Sequence, residues 1–208
     1  ESLESLILSR TQLLNDISHE LKTPISKAML ALELEVDSKY KKILKKSITQ
    51  IDNLTNELLD IERLNSKHLN LDMQIYSIDT ILFEALSKMM IDDEKELDVQ
   101  MVNLFTCKAD LNYMSMAVKN LIDNAIKYKE DGKVKIVIDK NSIEVKNKGK
   151  ALSKKLDYYL ETFTQEDSSR NIKGYGLGLN LVKRVLDYHG FKLEYRHENG
   201  YNVFSILT

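Results

Sequence analysis

The stretch DISHELKTPIS (residues 16–26) puts a histidine beside a glutamate, a threonine four residues after the histidine, and a proline next. An imidazole is a competent nucleophile through one nitrogen when the other carries the proton. His19 therefore reads as a candidate nucleophile. Glu20 is the carboxylate able to accept the remaining N–H and fix the tautomer, and Thr23 lies on the same face one turn on. Pro24, the only proline in the chain, donates no N–H and strains the turn before it. Backbone carbonyls near Glu20 then lose their usual partner. The ordinary roles are a solvated helix carboxylate for Glu20 and a surface residue at a kink for Thr23.

A second constellation lies far along the chain. KNLIDNAIKY (residues 119–128) sets Asn120 and Asn124 at i and i+4, on one face of a helix, with Lys127 and Tyr128 after them. Two carboxamides on one face offer oxygen to a hard cation such as Mg²⁺. The lysine can meet phosphate, and the tyrosine can lie against a base. The polar outer face of an amphipathic helix is the commoner meaning of a lone N-x-x-x-N. KGYGLGLNLVKRV (residues 173–185) then alternates Gly174, Gly176 and Gly178 directly before a helix. Glycines let backbone N–H groups approach phosphate, and a helix N-terminus adds partial positive charge. The G-x-G-x-G spacing without a preceding strand is not the dinucleotide fingerprint, and no Gly-Lys-Ser/Thr follows to make a Walker A loop.

These groups need elements to hold them. Leu3, Ile7, Leu14, Ile17, Leu21, Pro24, Ala28 and Ala31 follow a 4-3 spacing interrupted by Arg10, a heptad-like seam. His19 falls between seam residues and points roughly 160–200° away from them, toward solvent. A polar break at residues 36–38 precedes a second helical run over residues 39–64. Ile51, Leu54, Leu58 and Ile61 form its stripe, and Lys41, Lys42, Lys45 and Lys46 a basic face. Two such helices make an antiparallel hairpin, and two hairpins close a four-helix bundle, so a homodimer is expected. Residues 65–70 read as a linker.

Beyond the linker the periodicity mixes. Strands are expected over residues 71–76, 97–104, 134–138 and 143–145, and helices over 78–90, 110–128 and 177–188, the last capped by Gly190. Asn199-Gly200 marks a final hairpin. Residues 157–174 are polar and irregular, and about 160–173 of them are a candidate lid over a nucleotide. The expected class is α+β: antiparallel strands with helices on one face.

Composition narrows the functions. The chain has 208 residues, 43% hydrophobic and 30% charged, which suits one large or two small globular domains. A net charge of −2 lends no support to nucleic-acid binding. The single Cys107 excludes an internal disulfide framework, fits a reducing compartment and reads as a small hydrophobe in a strand. No apolar run approaches the ~20 residues of a membrane span, and no signal peptide is visible. The chain opens at Glu1 within a helical pattern, so a fragment with something helical upstream is expected.

These motifs, in this order, resemble the catalytic core of bacterial two-component sensor histidine kinases over nearly the whole chain. SHELKTPI resembles the H box, NLIDNAIKY the N box and GYGLGL the second glycine box. The resemblance implies a dimerisation and histidine-phosphotransfer hairpin over residues 1–66, forming a dimeric four-helix bundle. An ATP-binding catalytic domain of Bergerat type, an α/β sandwich, would follow over residues 67–208. It implies ATP-dependent autophosphorylation of His19 with Glu20 as general base. The phosphoryl group would pass to an aspartate on a response regulator receiver domain, and Thr23 would orient water for dephosphorylating that regulator. Asn124 would hold Mg²⁺, Asn120 would lie near the phosphates, Lys127 on phosphate and Tyr128 near adenine. Gly174, Gly176 and Gly178, with Leu177 and Leu179 between and after them, would shape the phosphate-side loop, and Phe163 resembles the F-box phenylalanine.

The first glycine box departs from the family pattern. In NKGKA (residues 147–151), Asn147 stands where an aspartate recognises the adenine amino group, Gly149 keeps the first glycine, and Ala151 replaces the second. Gln165 stands where many relatives carry arginine, and Arg170 is the nearby charge that can substitute. A kinase-impaired regulator phosphatase and a non-catalytic dimeric scaffold are the alternatives. The resemblance further implies a cytoplasmic core attached, in the full-length protein, to a membrane sensor, with no nucleic-acid partner and no membrane contact of its own.

Overall fold

Helical period dominates the first part of the chain and mixed periods the second. The chain divides accordingly into two units, Glu1–Leu69 and Asn70–Thr208. The computed structural model describes residues 22, 25, 26, 28–30, 39–65, 70–89, 96–162, 164 and 176–208.

In the first unit the described residues between 22 and 30 are helical, and α1 spans Lys39–Asn65, 27 residues. The stripe expected at 51, 54, 58 and 61 is graded. Ile51 is exposed, Leu54 and Leu58 are half-buried and Ile61 is buried, while Thr55, Leu59 and Leu64 are also buried. Thr55 tolerates burial because its hydroxyl donates to the Ile51 carbonyl one turn back (2.8 Å). Toward the start of α1 the apolar side chains surface: Leu44 is 51% and Ile51 46% exposed. Ile25, Met29 and Leu30 face Ile48, Thr49 and Asp52 across a groove of about 390 Å³.

In the second unit, β1 (Gln74–Ser77) pairs antiparallel with β3 (Thr106–Ala109), in a two-stranded sheet. Between them lie α2 (Ile78–Ser87) and β2 (Leu97–Met101). Then come α3 (Leu111–Tyr128), the hairpin β4 (Val134–Asp139) and β5 (Ser142–Lys148), α4 (Leu156–Tyr159) and α5 (Gly178–His189). The hairpin β6 (Lys192–Glu198) and β7 (Tyr201–Leu207) closes the chain. The larger sheet has the order β2-β4-β5-β7-β6. It is mixed rather than wholly antiparallel: β2 and β4 run parallel, because the chain returns to the sheet through α3 instead of a tight turn. Lys140 (φ 53°) closes β4 on β5, and Asn199 and Gly200 (φ 51° and 77°) form the two-residue turn of the last hairpin.

The core lies between the sheet and α2, α3 and α5. Buried side chains recur at helical spacing on α2 (Ile78, Ile81, Leu82, Ala85) and α3 (Met114, Ala117, Val118, Leu121, Ile122, Ala125). On the sheet they alternate: Val134, Ile136 and Ile138 on β4, with Ile143 and Val145 on β5. Each fully buried aliphatic contributes about 1.5–3 kcal/mol of burial free energy. The opposite sheet face is sealed by charge. Glu144 takes Lys146 and Arg196 at 2.7 Å each, and Arg196 also donates to Ser205. Burial raises the Glu144 carboxyl, but those hydrogen bonds outweigh it and hold its pKa below the usual value.

The ends of α3 and α5 are tied together. Asp110 caps α3, accepting from the Asn112 and Tyr113 N–H groups, and its second oxygen accepts from the Asp72 N–H at 2.9 Å. The Asp110 N–H donates to His189 Nε2 at 3.0 Å, and His189 Nδ1–H donates to the Val185 carbonyl at 2.7 Å. His189 therefore sits neutral in the last turn of α5. Burial pushes its pKa below 6.5, against the opposing pull of the Val185 bond and the Asp110 carboxylate.

Cys107 is buried in β3, a small hydrophobe in a strand as its context predicts. Gly190 caps α5 in the left-handed conformation (φ 72°), as its position predicts.

Candidate functional site

Helix α3 carries the motif asparagines and runs beneath two structures. The N-terminus of α5 lies over its middle, and the loop after β5 lies at its C-terminal end. From Asn120 to Tyr128 the helix rises about 12 Å. That separates a phosphate end from a base end by roughly the reach of an extended nucleotide.

At the phosphate end, a Cβ built on Gly178 would lie 3.1 Å from Asn120 Oδ1 and 3.4 Å from Asn124 Nδ2. The glycine is thus what lets α5 start directly on the two asparagines. Asn120 spends its amide on the Met116 carbonyl (2.9 Å), which turns its oxygen toward Gly178. The Asn124 side chain is half-buried beside Gly178. Gly176 has φ +70°, and Leu177, 1% exposed, anchors the helix start. The first turn bonds Leu181 N–H to the Leu177 carbonyl, so the N–H groups of Gly178, Leu179 and Asn180 precede the first intrahelical donor and have no intrahelical acceptor. Such an end attracts anions.

At the base end, Asn147 is the last inward residue of β5, 2% exposed, where apolar residues would continue the row. Its amide donates to the Tyr128 carbonyl at 3.4 Å, joining β5 to the end of α3. The loop beyond is held by backbone and side chains together. Glu130 N–H bonds to the Lys148 carbonyl, and Gly149 N–H to that of Gly200. His197 Nε2–H donates to the Gly149 carbonyl and the Asn202 amide to that of Lys150, both at 3.0 Å. Tyr195 completes the set, donating to Asn202 Oδ1 and accepting from the Leu152 N–H. A Cβ at 149 would meet only ordinary contacts at 3.4–3.5 Å. Lys127 places its ammonium 4.6 Å from the Tyr128 ring centre.

The structure therefore brings together Asn120, Asn124, Gly176, Leu177, Gly178 and Leu179 at one end, and Lys127, Tyr128, Asn147 and Gly149 at the other. His19, Glu20, Thr23, Pro24, Phe163, Gln165, Arg170 and Gly174 lie outside the described residues, as does most of the irregular stretch expected to cover a nucleotide. Sequence reasoning missed Asn202, Tyr195 and His197 as the support of the base end. The one signal was a polar residue, Asn202, opening the apolar run of β7. Among the described residues no three His, Cys, Asp or Glu cluster to hold a metal ion. A lone carboxamide oxygen nevertheless suits Mg²⁺, which takes one or two protein ligands and fills its remaining positions with phosphate and water.

Comparison with known proteins agrees with this division. Residues 9–67 match the His Kinase A (phospho-acceptor) domain. Residues 109–207 match the histidine kinase-, DNA gyrase B-, and HSP90-like ATPase family. The sensor histidine kinase ArsS of Helicobacter pylori is 29% identical over 199 residues, covering 95% of this chain and 47% of the relative. The chain thus spans about half the length of the curated relatives it matches. Among solved structures, full-length ShkA in complex with AMPPNP shares the fold with a TM-score of 0.70 at 22% identity, over 95% of this chain and 46% of that one. The Acinetobacter baumannii histidine kinase AdeS shares it at 0.64 and 19% identity, over 90% and 95%.

Proposed function

The chain belongs to the sensor histidine kinases, and from that premise we propose that it moves the γ-phosphoryl group of ATP to His19 and then to an aspartate of a response regulator. The observation that carries this reading is the seat of Gly178 on Asn120 and Asn124. It joins two separate motifs into one surface, facing the N–H groups of a helix start.

The nucleotide would lie along α3, base toward Asn147 and Tyr128, phosphates toward α5. The uncharged Asn147 retains an oxygen to accept from the adenine amino group while its amide is occupied by Tyr128. Phosphoryl transfer asks little covalent chemistry of a protein, and most of its catalysis is positioning and charge stabilisation. The α5 N–H groups would carry the phosphate charge. Asn124 would hold Mg²⁺, which supplies charge neutralisation between the phosphates when bound.

In the first unit an imidazole nitrogen of His19 would attack the γ-phosphorus as ADP leaves, and Glu20 would accept the proton from the other nitrogen. Thr23 would orient water when the regulator is dephosphorylated. A second copy of the hairpin is the natural cover for Leu30, Leu44 and Ile51, so the working form is a homodimer. No helix among the described residues is long and apolar enough to cross a membrane. We place this core on the cytoplasmic side of a sensor anchored elsewhere in its sequence.

The test is incubation with γ-labelled ATP and Mg²⁺ beside His19→Gln. Acid-labile, base-stable label in the parent and none in the variant is the expected result. An unlabelled parent that binds ATP as a folded dimer would overturn the kinase reading.

A further inference from the structure

Asn180 is a carboxamide, 6% exposed, on the inner side of a helix whose other inward positions are mostly apolar. A buried amide needs partners at both ends. Its Nδ2 donates to the Leu160 carbonyl at 2.6 Å, and its Oδ1 accepts from Arg184 Nε at 2.8 Å. The guanidinium, a donor only, fixes which way round the amide sits. Leu160 closes α4: its own N–H bonds back to Leu156 and Asp157, and its carbonyl is one that a helix end leaves without an intrahelical partner.

The position of this bond in the chain gives it consequence. The chain leaves α4 at Leu160 and returns at Leu177 to begin α5. One side chain therefore pins the departing limb to the helix on which the returning limb ends. That helix presents the N–H groups of the phosphate end, so the bond fixes the helix start against α4.

We infer that Asn180 is a positioning residue for triphosphate binding, acting through the Leu160 carbonyl to set where the start of α5 meets α3. The inference rests on the nucleotide reading above and adds a residue that its motifs do not include. Asn180 positions the helix start without touching the base end, where Asn147 and the β6–β7 side chains hold their own loop. Its loss lowers the fraction of molecules with a competent phosphate end, and apparent affinity falls by that fraction.

Two variants separate this from general support of the fold. Asn180→Asp keeps the size and the Arg184 partner but turns an acceptor toward the Leu160 carbonyl. Asn180→Ser is uncharged and too short to reach it. Binding of AMPPNP by calorimetry and of adenosine by NMR titration would be measured on the whole chain with Mg²⁺ present. The expected result is an AMPPNP Kd raised about tenfold in both variants, the scale of one lost buried hydrogen bond. Adenosine binding should change less than about twofold, and amide exchange protection in β4–β7 should be unchanged. Equal losses for both ligands, or AMPPNP affinity unchanged in both variants, overturns the role. A parent chain that binds neither ligand overturns the nucleotide reading itself, and with it the premise of this one.

Discussion

The two ends of the cleft above α3 are built on different principles. The base end is a hydrogen-bonded construction in which four residues around β6 and β7, Tyr195, His197, Gly200 and Asn202, share the support of one loop. The phosphate end is a packing construction: a helix starts on two asparagines because one residue lacks a side chain. Hydrogen-bond networks lose strength by increments when a member is removed, whereas a close steric approach is intact or lost.

If that contrast is right, the largest single effect should come from Gly178→Val. A Cβ 3.1 Å from Asn120 Oδ1 forces the asparagine or the helix to yield, and the branched methyls press on Asn124 as well. Overpacking of this kind costs about 1–3 kcal/mol. Because it falls on the binding surface, AMPPNP affinity should drop about 100-fold, with the thermal midpoint lowered by several degrees. Calorimetric binding near the parental value would break the comparison at its stronger end.

Asn147→Ala should do less. It leaves the Tyr128 carbonyl without its donor and costs about 1–2 kcal/mol in urea unfolding. The loop from Lys148 to Leu152 keeps its other bonds, so nucleotide affinity should fall about tenfold rather than vanish. A loss as large as that of Gly178→Val would mean the base end is no more redundant than the phosphate end.

Acid offers a route to α5, the helix whose start forms the phosphate end. The His189 pKa lies below its ordinary 6.5 because burial disfavours the charged ring. The unfolded chain then protonates first as pH falls, so stability is fully present above about pH 6.5 and declines below it. The slope cannot exceed about 1.4 kcal/mol per pH unit for one proton. Protonation converts the acceptor of the Asp110 N–H into a donor, and so loosens α5 at its C-terminus. Urea midpoints between pH 7.5 and 5 should fall, and less so in His189→Gln. Amide exchange should rise in α5 before it rises in β5–β7. A pH-independent midpoint would remove His189 from this account.

How much of this could be read from the chain depends on the range of the interaction. Helices α3 and α5 and the last hairpin were legible because their causes are local: apolar periodicity, the Gly190 cap and the Asn199-Gly200 turn. Strand β3 was legible only as the strand-like context of Cys107; its bounds were not, since four residues with two inward side chains, Cys107 and Ala109, alternate too briefly to stand out. The parallel pairing of β2 with β4 was not legible, because register between residues 37 apart, such as Leu97 and Val134, is a tertiary matter. At the site, the shared face of Asn120 and Asn124 followed from helical geometry. That Gly178 rests on them, and that Asn180 reaches back to Leu160, required α5 to be laid across α3 and α4.

The smallest effect predicted sharpens the comparison from the tolerant side. Ala151 replaces a glycine of the family pattern, and the sequence alone suggests a stiffened loop. Ala151 is exposed, and the described residues other than glycine that adopt positive φ are Lys140 and Asn199. Its Cβ therefore faces solvent on a backbone that an alanine adopts without strain. Asn202 and Tyr195 fix the residues on either side, Lys150 and Leu152, by bonds that do not depend on residue 151. Ala151→Gly should consequently leave AMPPNP affinity within about twofold and cost about 0.5 kcal/mol or less, chiefly through the added freedom of the unfolded chain. A clear gain in affinity would instead mean that this loop is held too rigidly for nucleotide, and that the redundancy of the base end works against binding.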